Sequence, residues 1–321
     1  MKRDMSIIEQ ATKRLEEMSR AGVPVPWRVA GQAPRQESAR SRLDQRHPLI
    51  DSTPAGAVGR LLAESALSAP SVLQPFRADA ASSPAVELDL DLLERSGHLV
   101  PTQTRTTLAE EFRHIKRPLL KNAHSREAAE SRLELIMITS ALPREGKTFC
   151  AINLAISIAA EVDTSVLLVD ADVVRPDVLQ RLGIEAQKGL LDLLAQPHLD
   201  PSELILRTNV PKLSILPAGT HNRMSTELLA SEAMETLLVS MSTRYADRVV
   251  IFDAPPLLVT NEAKVLASRV GQVVLVVEAS TTPRRAVEQA FAALEQCPIV
   301  MSVLNKAHRQ AIPGGYGDYY G

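Results

Sequence analysis

The chain has 321 residues, enough for two average domains or for one α/β domain with a long flank. Hydrophobic residues are 45% of the total and aromatic residues only 3%, so a large aliphatic core is available while a base-stacking nucleic-acid platform is disfavoured. With 36 basic and 38 acidic side chains, the formal net charge of -2 creates no global field that would draw the chain onto nucleic acid or an anionic membrane.

Residues 1–21 read as one amphipathic helix, with Ile7, Ile8, Ala11, Leu15 and Met18 on one side and Lys13, Arg14, Glu16 and Glu17 on the other. The pattern suits packing on its own domain and docking on a partner equally well. Acidic Asp4 and Glu9 interrupt the apolar residues, so the segment does not read as a signal peptide. Residues 22–104 are rich in Pro, Ser and Ala and hold nine of the 21 prolines between Pro24 and Pro101, which predicts a flexible linker broken only by short apolar pieces such as Leu88 to Leu93. No apolar run approaches the roughly 20 residues of a spanning helix, so membrane association is expected only through a partner. The two cysteines, Cys150 and Cys297, show neither metal-ligand spacing nor a secreted framework, as expected in a reducing cytoplasm.

A helix is predicted over about 108–120, where Glu110, Arg113 and Lys116 recur at spacings of three as a charged stripe. Beyond it, strands are predicted near 134–139, 165–170, 213–216, 248–253, 272–277 and 299–304, with helical patterns between most of them. Val166 to Val169, Val249 to Phe252 and Val273 to Val277 are apolar throughout rather than alternating, the pattern of a parallel sheet covered on both faces.

After the first long apolar run comes Ser140-Ala141-Leu142-Pro143-Arg144-Glu145-Gly146-Lys147-Thr148, followed by a helical segment from Phe149. Strand, phosphate loop and helix in this order surround an anion with backbone N–H groups and the positive end of a helix. Lys147 is then expected at the terminal phosphates of ATP and the Thr148 hydroxyl on Mg²⁺. Two other strands end in Asp170-Ala171-Asp172 and Asp253-Ala254-Pro255-Pro256, at the sheet edge where open α/β folds bind ligands. Phosphoryl transfer needs a carboxylate on the metal and another near the nucleophile; Asp253 suits the first role and the Asp170/Asp172 pair the second. The predicted fold is therefore α/β: a doubly wound, mainly parallel P-loop NTPase domain over 105–310, behind a disordered N-terminal linker. Residues 311–321 form a Gly-rich tail carrying three of the four tyrosines, Tyr316, Tyr319 and Tyr320, read as displayed groups rather than core.

Taken together these residues resemble the bacterial tyrosine kinases, P-loop autokinases that control exopolysaccharide and capsule synthesis. Residues 6–17, 110–120 and 143–151 are similar to the branch whose genes accompany exosortase loci. The resemblance implies catalytic Lys147, Asp170, Asp172 and Asp253, with Thr148 and Asp253 on Mg²⁺. It implies an ATP site of Arg144, Glu145, Gly146, Lys147, Thr148, Phe149, Arg175 and Asn305, and acceptors Tyr316, Tyr319 and Tyr320. It further implies a ring-like homo-oligomer assembled through Glu110, Arg113 and Lys116. The implied partners are a separate inner-membrane chain-length regulator that activates the kinase and a tyrosine phosphatase, and the implied location is cytoplasmic, peripheral to the inner membrane. Departures from the family pattern are Arg144 in place of a glycine, Val174 where an arginine is usual, and Lys116 for the last arginine of the ring motif. Two other functions suit a related fold: a partitioning-type ATPase, disfavoured because Leu142 stands where its extra lysine belongs, and a nucleotide-gated scaffold of an export complex.

Overall fold

The structure, a computed structural model, describes residues 83–103, 105–125, 131–196, 198–244 and 248–307. All lie in the unit Ser65–Gly321, one of two into which the chain divides. The predicted helix over 1–21, most of the linker and the tail with Tyr316, Tyr319 and Tyr320 fall outside the described residues.

Eight strands form one sheet: β1 (Ala85–Val86), β2 (Leu135–Ser140), β3 (Ser165–Asp170), β4 (Leu206–Thr208), β5 (Leu213–Leu216), β6 (Arg248–Asp253), β7 (Gln272–Glu278) and β8 (Ile299–Asn305). Their order is β1-β4-β5-β3-β6-β2-β7-β8, and every pairing is parallel except the short β4–β5 pair. The six predicted strands are present to within about a residue. The two that sequence did not predict, β1 and β4, span only 2 and 3 residues, too short to show a period.

The long strands are apolar throughout because both faces are covered. In β2, Leu135 and Met137 join one hydrophobic cluster while Ile136 and Ile138 join the other; Leu167 and Val169 oppose Val166 and Leu168 in β3 in the same way. Each fully buried Leu or Ile contributes roughly 1.5–3 kcal/mol. Helices α1 (Leu90–Arg95), α2 (Thr107–Ala123), α3 (Lys147–Ala159) and α4 (Val178–Arg181) line one face. Every residue of α3 from Cys150 to Ala159 is buried, so this helix, which follows the phosphate loop, is wrapped on all sides. Among the described residues no helix is long and apolar enough to cross a membrane.

The linker expected over 22–104 does not run to its predicted end. Residues 83–103 belong to the fold: β1 pairs with β4, Asp89 caps α1 by accepting from the Leu92 N–H, and Leu88, Leu93, Leu99 and Val100 are buried. Asn153 of α3 accepts from the Leu99 N–H at 2.6 Å, fastening this segment to the phosphate-loop helix. The apolar piece from Leu88 to Leu93 was the local sign of this, obscured by the prolines on either side.

The expected charged stripe on α2 also splits. Thr106 caps the helix by accepting from the Ala109 N–H, and Glu110 pairs with Arg113 at the surface. Lys116, by contrast, is buried on the stripe of Phe112 and Leu119. Its ammonium donates to the Ser157 carbonyl at 2.6 Å and pairs with Glu161 at 2.6 Å, satisfying the last turn of α3. The three positions therefore do not share an exposed face, which corrects the expected interface at Lys116. Residues three apart are rotated by about 60° at each step, so the third lies about 120° from the first. Lys116→Ala should lower stability by about 1.5–3 kcal/mol, since a charged hydrogen bond into a buried helix end is lost. Urea unfolding reads this directly; unchanged stability with weakened self-association would instead return Lys116 to the interface.

Candidate active site

Because the long strands are parallel, β2, β3 and β6 end at one edge of the sheet. The register places Asp170 beside Asp253 and Ile138 beside Asp253. The loop after β6 is laced to the one after β2: Leu257 N–H donates to the Ser140 carbonyl at 2.9 Å, and the Thr139 hydroxyl donates to the Pro255 carbonyl at 2.7 Å. These bonds hold both loops against the mouth of a cavity of about 890 Å³.

The phosphate loop is braced from within. Buried Glu145 accepts from the Leu142 N–H at 2.7 Å through one carboxylate oxygen and from the Thr282 hydroxyl through the other. It thus supports the loop with its side chain and does not line the cavity. Gly146 stands at φ +98°, and a Cβ there would meet the Asn305 amide nitrogen at 2.0 Å. That amide donates to the Glu145 carbonyl at 2.8 Å, so β8 closes the loop from the far side. No side chain caps the first turn of α3, leaving its N–H groups open for an anion. Arg144 sits in the left-handed region at φ +70°, a conformation that costs a side-chain-bearing residue roughly 1–2 kcal/mol. This is the position where a glycine was expected. The strained turn is held by Lys306, which donates to the Arg144 carbonyl at 2.8 Å and pairs with Glu278 at 2.9 Å. Lys306 was missed in the sequence, although its place directly after Asn305 at a strand end marks it.

Lys147 pairs with Asp172 at 2.6 Å and lies 3.9 Å from Asp253 and 3.4 Å from the Thr148 hydroxyl. Burial works against its charge, but the Asp253 and Asp172 carboxylates outweigh that and raise the ammonium pKa above its ordinary value. Burial pushes the Asp253 carboxyl up to about 6 in spite of Lys147. Neither Asp253 oxygen makes a hydrogen bond of good geometry, although the Thr148 hydroxyl is near enough to favour the charged form. An orphaned, wholly buried carboxylate beside a hydroxyl fits a divalent cation. No group of three or more His, Cys, Asp or Glu among the described residues is placed to hold one alone. Mg²⁺ there would complete its shell with phosphate oxygens and water, as it habitually does.

The structure separates the predicted aspartate pair. Asp172 lines the cavity, one oxygen on Lys147 and the other accepting from the Arg175 N–H at 3.0 Å. Asp170 is buried behind it, its oxygens accepting from the Asp172 and Val178 N–H groups at 3.2 Å each. Burial, then the neighbouring Asp253 carboxylate, hold Asp170 well above the usual carboxylate range. Arg144, Phe149, Arg175 and Asn305 all line the cavity. The Phe149 ring lies 4.9 Å from that of His98, tilted by 48°, and the His98 charge is disfavoured by burial and by Arg181. Cys150, pushed up to about 12 by burial, offers no thiolate to the site.

No protein-family model matches the chain. The succinoglycan biosynthesis transport protein ExoP of Rhizobium meliloti is 34% identical over 236 residues, which cover 71% of this chain but only 28% of ExoP. Tyrosine-protein kinase YwqD of Bacillus subtilis is 28% identical over 221 residues, 68% of this chain and 89% of YwqD. Among solved structures, the kinase domain of Escherichia coli tyrosine kinase ETK matches with a TM-score of 0.50 and 26% identity, over 60% of this chain and 81% of that domain. With phosphate loop, paired strand-end aspartates and mainly parallel sheet in the arrangement described, the chain belongs to the bacterial tyrosine-protein kinase family.

Proposed function

We propose that the chain is an ATP- and Mg²⁺-dependent protein tyrosine kinase that modifies tyrosines of its own tail. The observation that carries the reading is the orphaned Asp253 carboxylate beside Lys147 and Thr148 at the base of an uncapped phosphate loop. The loop N–H groups and Lys147 would hold the phosphates, Lys147 exchanging its Asp172 partner for phosphate oxygens. Thr148 and Asp253 would hold Mg²⁺, which when bound neutralises charge on the β- and γ-phosphates. Phe149, Asn305 and Arg144 would flank the nucleotide. Released from Lys147, Asp172 faces the cavity and would orient the incoming phenol and take its proton. As the phenol oxygen bonds to the γ-phosphorus, the bond to the β–γ bridging oxygen breaks and ADP leaves. Asp170 contributes by fixing the backbone that carries Asp172.

The acceptors in this reading are Tyr316, Tyr319 and Tyr320, supplied by a neighbouring copy. From Lys306 to Tyr316 the chain has about 10 residues, a reach of some 33 Å at most. Labelled ATP with the wild-type protein tests the activity: phosphotyrosine on those three positions is expected, whereas free phosphate alone would indicate an ATPase and neither product a nucleotide-gated scaffold. A mixture of Lys147→Met protein with an active protein whose tail tyrosines are Phe tests the direction. Phosphate should then appear on the tail of the inactive partner; its absence would rule out transfer between copies.

By likeness to the family, the proposal includes a role in exopolysaccharide chain length, synthesis or export and membership of the exosortase-associated branch. It also includes self-association through the Glu110 and Arg113 face, activation by a separate inner-membrane chain-length regulator, reversal by a tyrosine phosphatase, and a cytoplasmic position peripheral to the inner membrane.

A further inference from the structure

The phosphate loop ties its backbone carbonyls to its own protein and leaves its N–H groups open. The carbonyls of Leu142, Arg144, Glu145 and Gly146 accept, in turn, from the Ser140 hydroxyl, the Lys306 ammonium, the Asn305 amide and the Cys150 N–H, at 2.7–2.9 Å. The N–H groups of Arg144, Glu145, Gly146 and Lys147 have no acceptor among the described residues. Open N–H groups running through two left-handed residues, Arg144 and Gly146, make a concave cradle for an anion. Gly146 takes its positive φ without strain, whereas Arg144 takes φ +70° with a Cβ to accommodate. The Arg144 side chain is exposed, lines the cavity and makes no hydrogen bond or ion pair among the described residues. The fold thus holds a strained residue by its backbone and makes no use of its guanidinium, a pattern that points to a ligand.

We infer that Arg144 binds the terminal phosphate of ATP from the mouth of the cavity, and that it makes the site prefer a nucleoside triphosphate to a diphosphate. The inference rests on the nucleotide site proposed above and deepens it. A terminal phosphate spreads its charge over three non-bridging oxygens. In the proposed site Lys147 takes one, and Mg²⁺ held by Thr148 and Asp253 takes a second. Both contacts come from the base, where the Lys147 side chain is 12% exposed and Asp253 wholly buried, so the third oxygen is left on the mouth side. The loop itself offers one cation there, three residues before Lys147, and a planar guanidinium grips phosphate through two parallel N–H groups. Two other cations lining the cavity are already engaged, Lys306 by Glu278 and Arg181 by Asp177. Arg175 is as free as Arg144, but it belongs to the loop after β3 and not to the loop that cradles the anion. Because ADP lacks the terminal group, the contact disappears when that phosphate is transferred, which favours exchange of product for fresh ATP.

The test is calorimetric titration of the full-length protein, with Mg²⁺ present, by ADP and by β,γ-imido-ATP, whose terminal phosphate is not transferred. Arg144→Ala should weaken imido-ATP by about 10–100-fold, the range for one hydrogen bond to a charged group, and change ADP affinity little. Arg144→Gly should lose the same preference yet unfold at higher urea than Arg144→Ala, since only glycine is at ease at a positive φ. Equal losses for the two nucleotides in the Ala variant would overturn the assignment, by placing Arg144 on the diphosphate or on the shape of the loop. So would an unchanged ratio of the two affinities, or a ratio lost in Arg175→Ala and kept in Arg144→Ala. A Gly variant no more resistant to urea than the Ala variant would show that the strained turn is not held in solution, and would overturn it as well. Tyrosine transfer is not read, so a protein that distinguishes the two nucleotides but modifies no tyrosine would keep Arg144 on the phosphate and remove the kinase reading alone.

Discussion

Replacing Lys147 by Met should slow ATP-dependent tyrosine modification by about 10²–10³-fold, the usual consequence of removing one preorganised charge from a transferring phosphoryl group. The structure adds a second expected effect. Lys147 sits among Asp172, Asp253 and Asp170 with its side chain only 12% exposed. Removing one partner of a buried ion pair costs up to about 3–5 kcal/mol, so the Met variant should be folded but easier to denature. Lys147→Arg separates the two effects. It keeps the positive charge, and so most of the stability, but its planar fork does not reproduce a compact ammonium in a tight loop, and activity should remain low. Circular dichroism with melting, followed by mass spectrometry of the tail, measures both. A folded Met variant that modifies its tail at the wild-type rate would remove Lys147 from the chemistry.

Asp253→Asn should act in opposite directions on stability and activity. In the nucleotide-free protein the carboxylate is fully buried, without a well-formed hydrogen bond, and burial pushes it up to about 6 from an ordinary 3.8. A folded-state pKa raised above the unfolded value means that holding the charge is unfavourable. The penalty is present in full above about pH 6 and fades as the pH falls towards 3.8, because the native state then takes up the proton first. A shift of this size corresponds to roughly 3 kcal/mol at neutral pH. Asparagine would still leave buried polar atoms without partners, so a net gain of about 1–2 kcal/mol is expected. Urea unfolding at pH 7 and pH 5 reads the gain and its narrowing at the lower pH. Activity should fall by at least about 10²-fold, since no charged carboxylate remains to hold the cation. A variant less stable than the wild type at pH 7 would show that the buried charge is already compensated without nucleotide. On the proposed reading, the destabilised carboxylate is the stability the fold gives up to keep a cation site ready.

What the residues alone determined follows from interactions close in the chain. A strand covered on both faces must be apolar at every position, so β2, β3, β6 and β7 announce themselves without reference to their neighbours. A phosphate loop is one contiguous turn between a strand and a helix, so Gly146, Lys147 and Thr148 were legible as a unit. The strand-end positions of Asp170, Asp172 and Asp253 followed from those boundaries. Other features were decided only by the packed tertiary structure. Short β1 exists because β4 offers it an edge, and the segment 83–103 is ordered because Asn153 and the α3 surface receive it. Lys116 turns inward because the end of α3, 41 residues away, presents the Ser157 carbonyl to it. Asp170 and Asp172 differ in role because backbone N–H groups occupy the first while Lys147 and the open cavity face the second. Glu145 braces the loop only because Thr282 arrives from 137 residues later. Periodicity and motif record which groups a residue carries and which way its own backbone turns it. Whether a charged group there meets water, a carbonyl or another charge is settled by the elements packed against it, and that packing is a property of the tertiary fold.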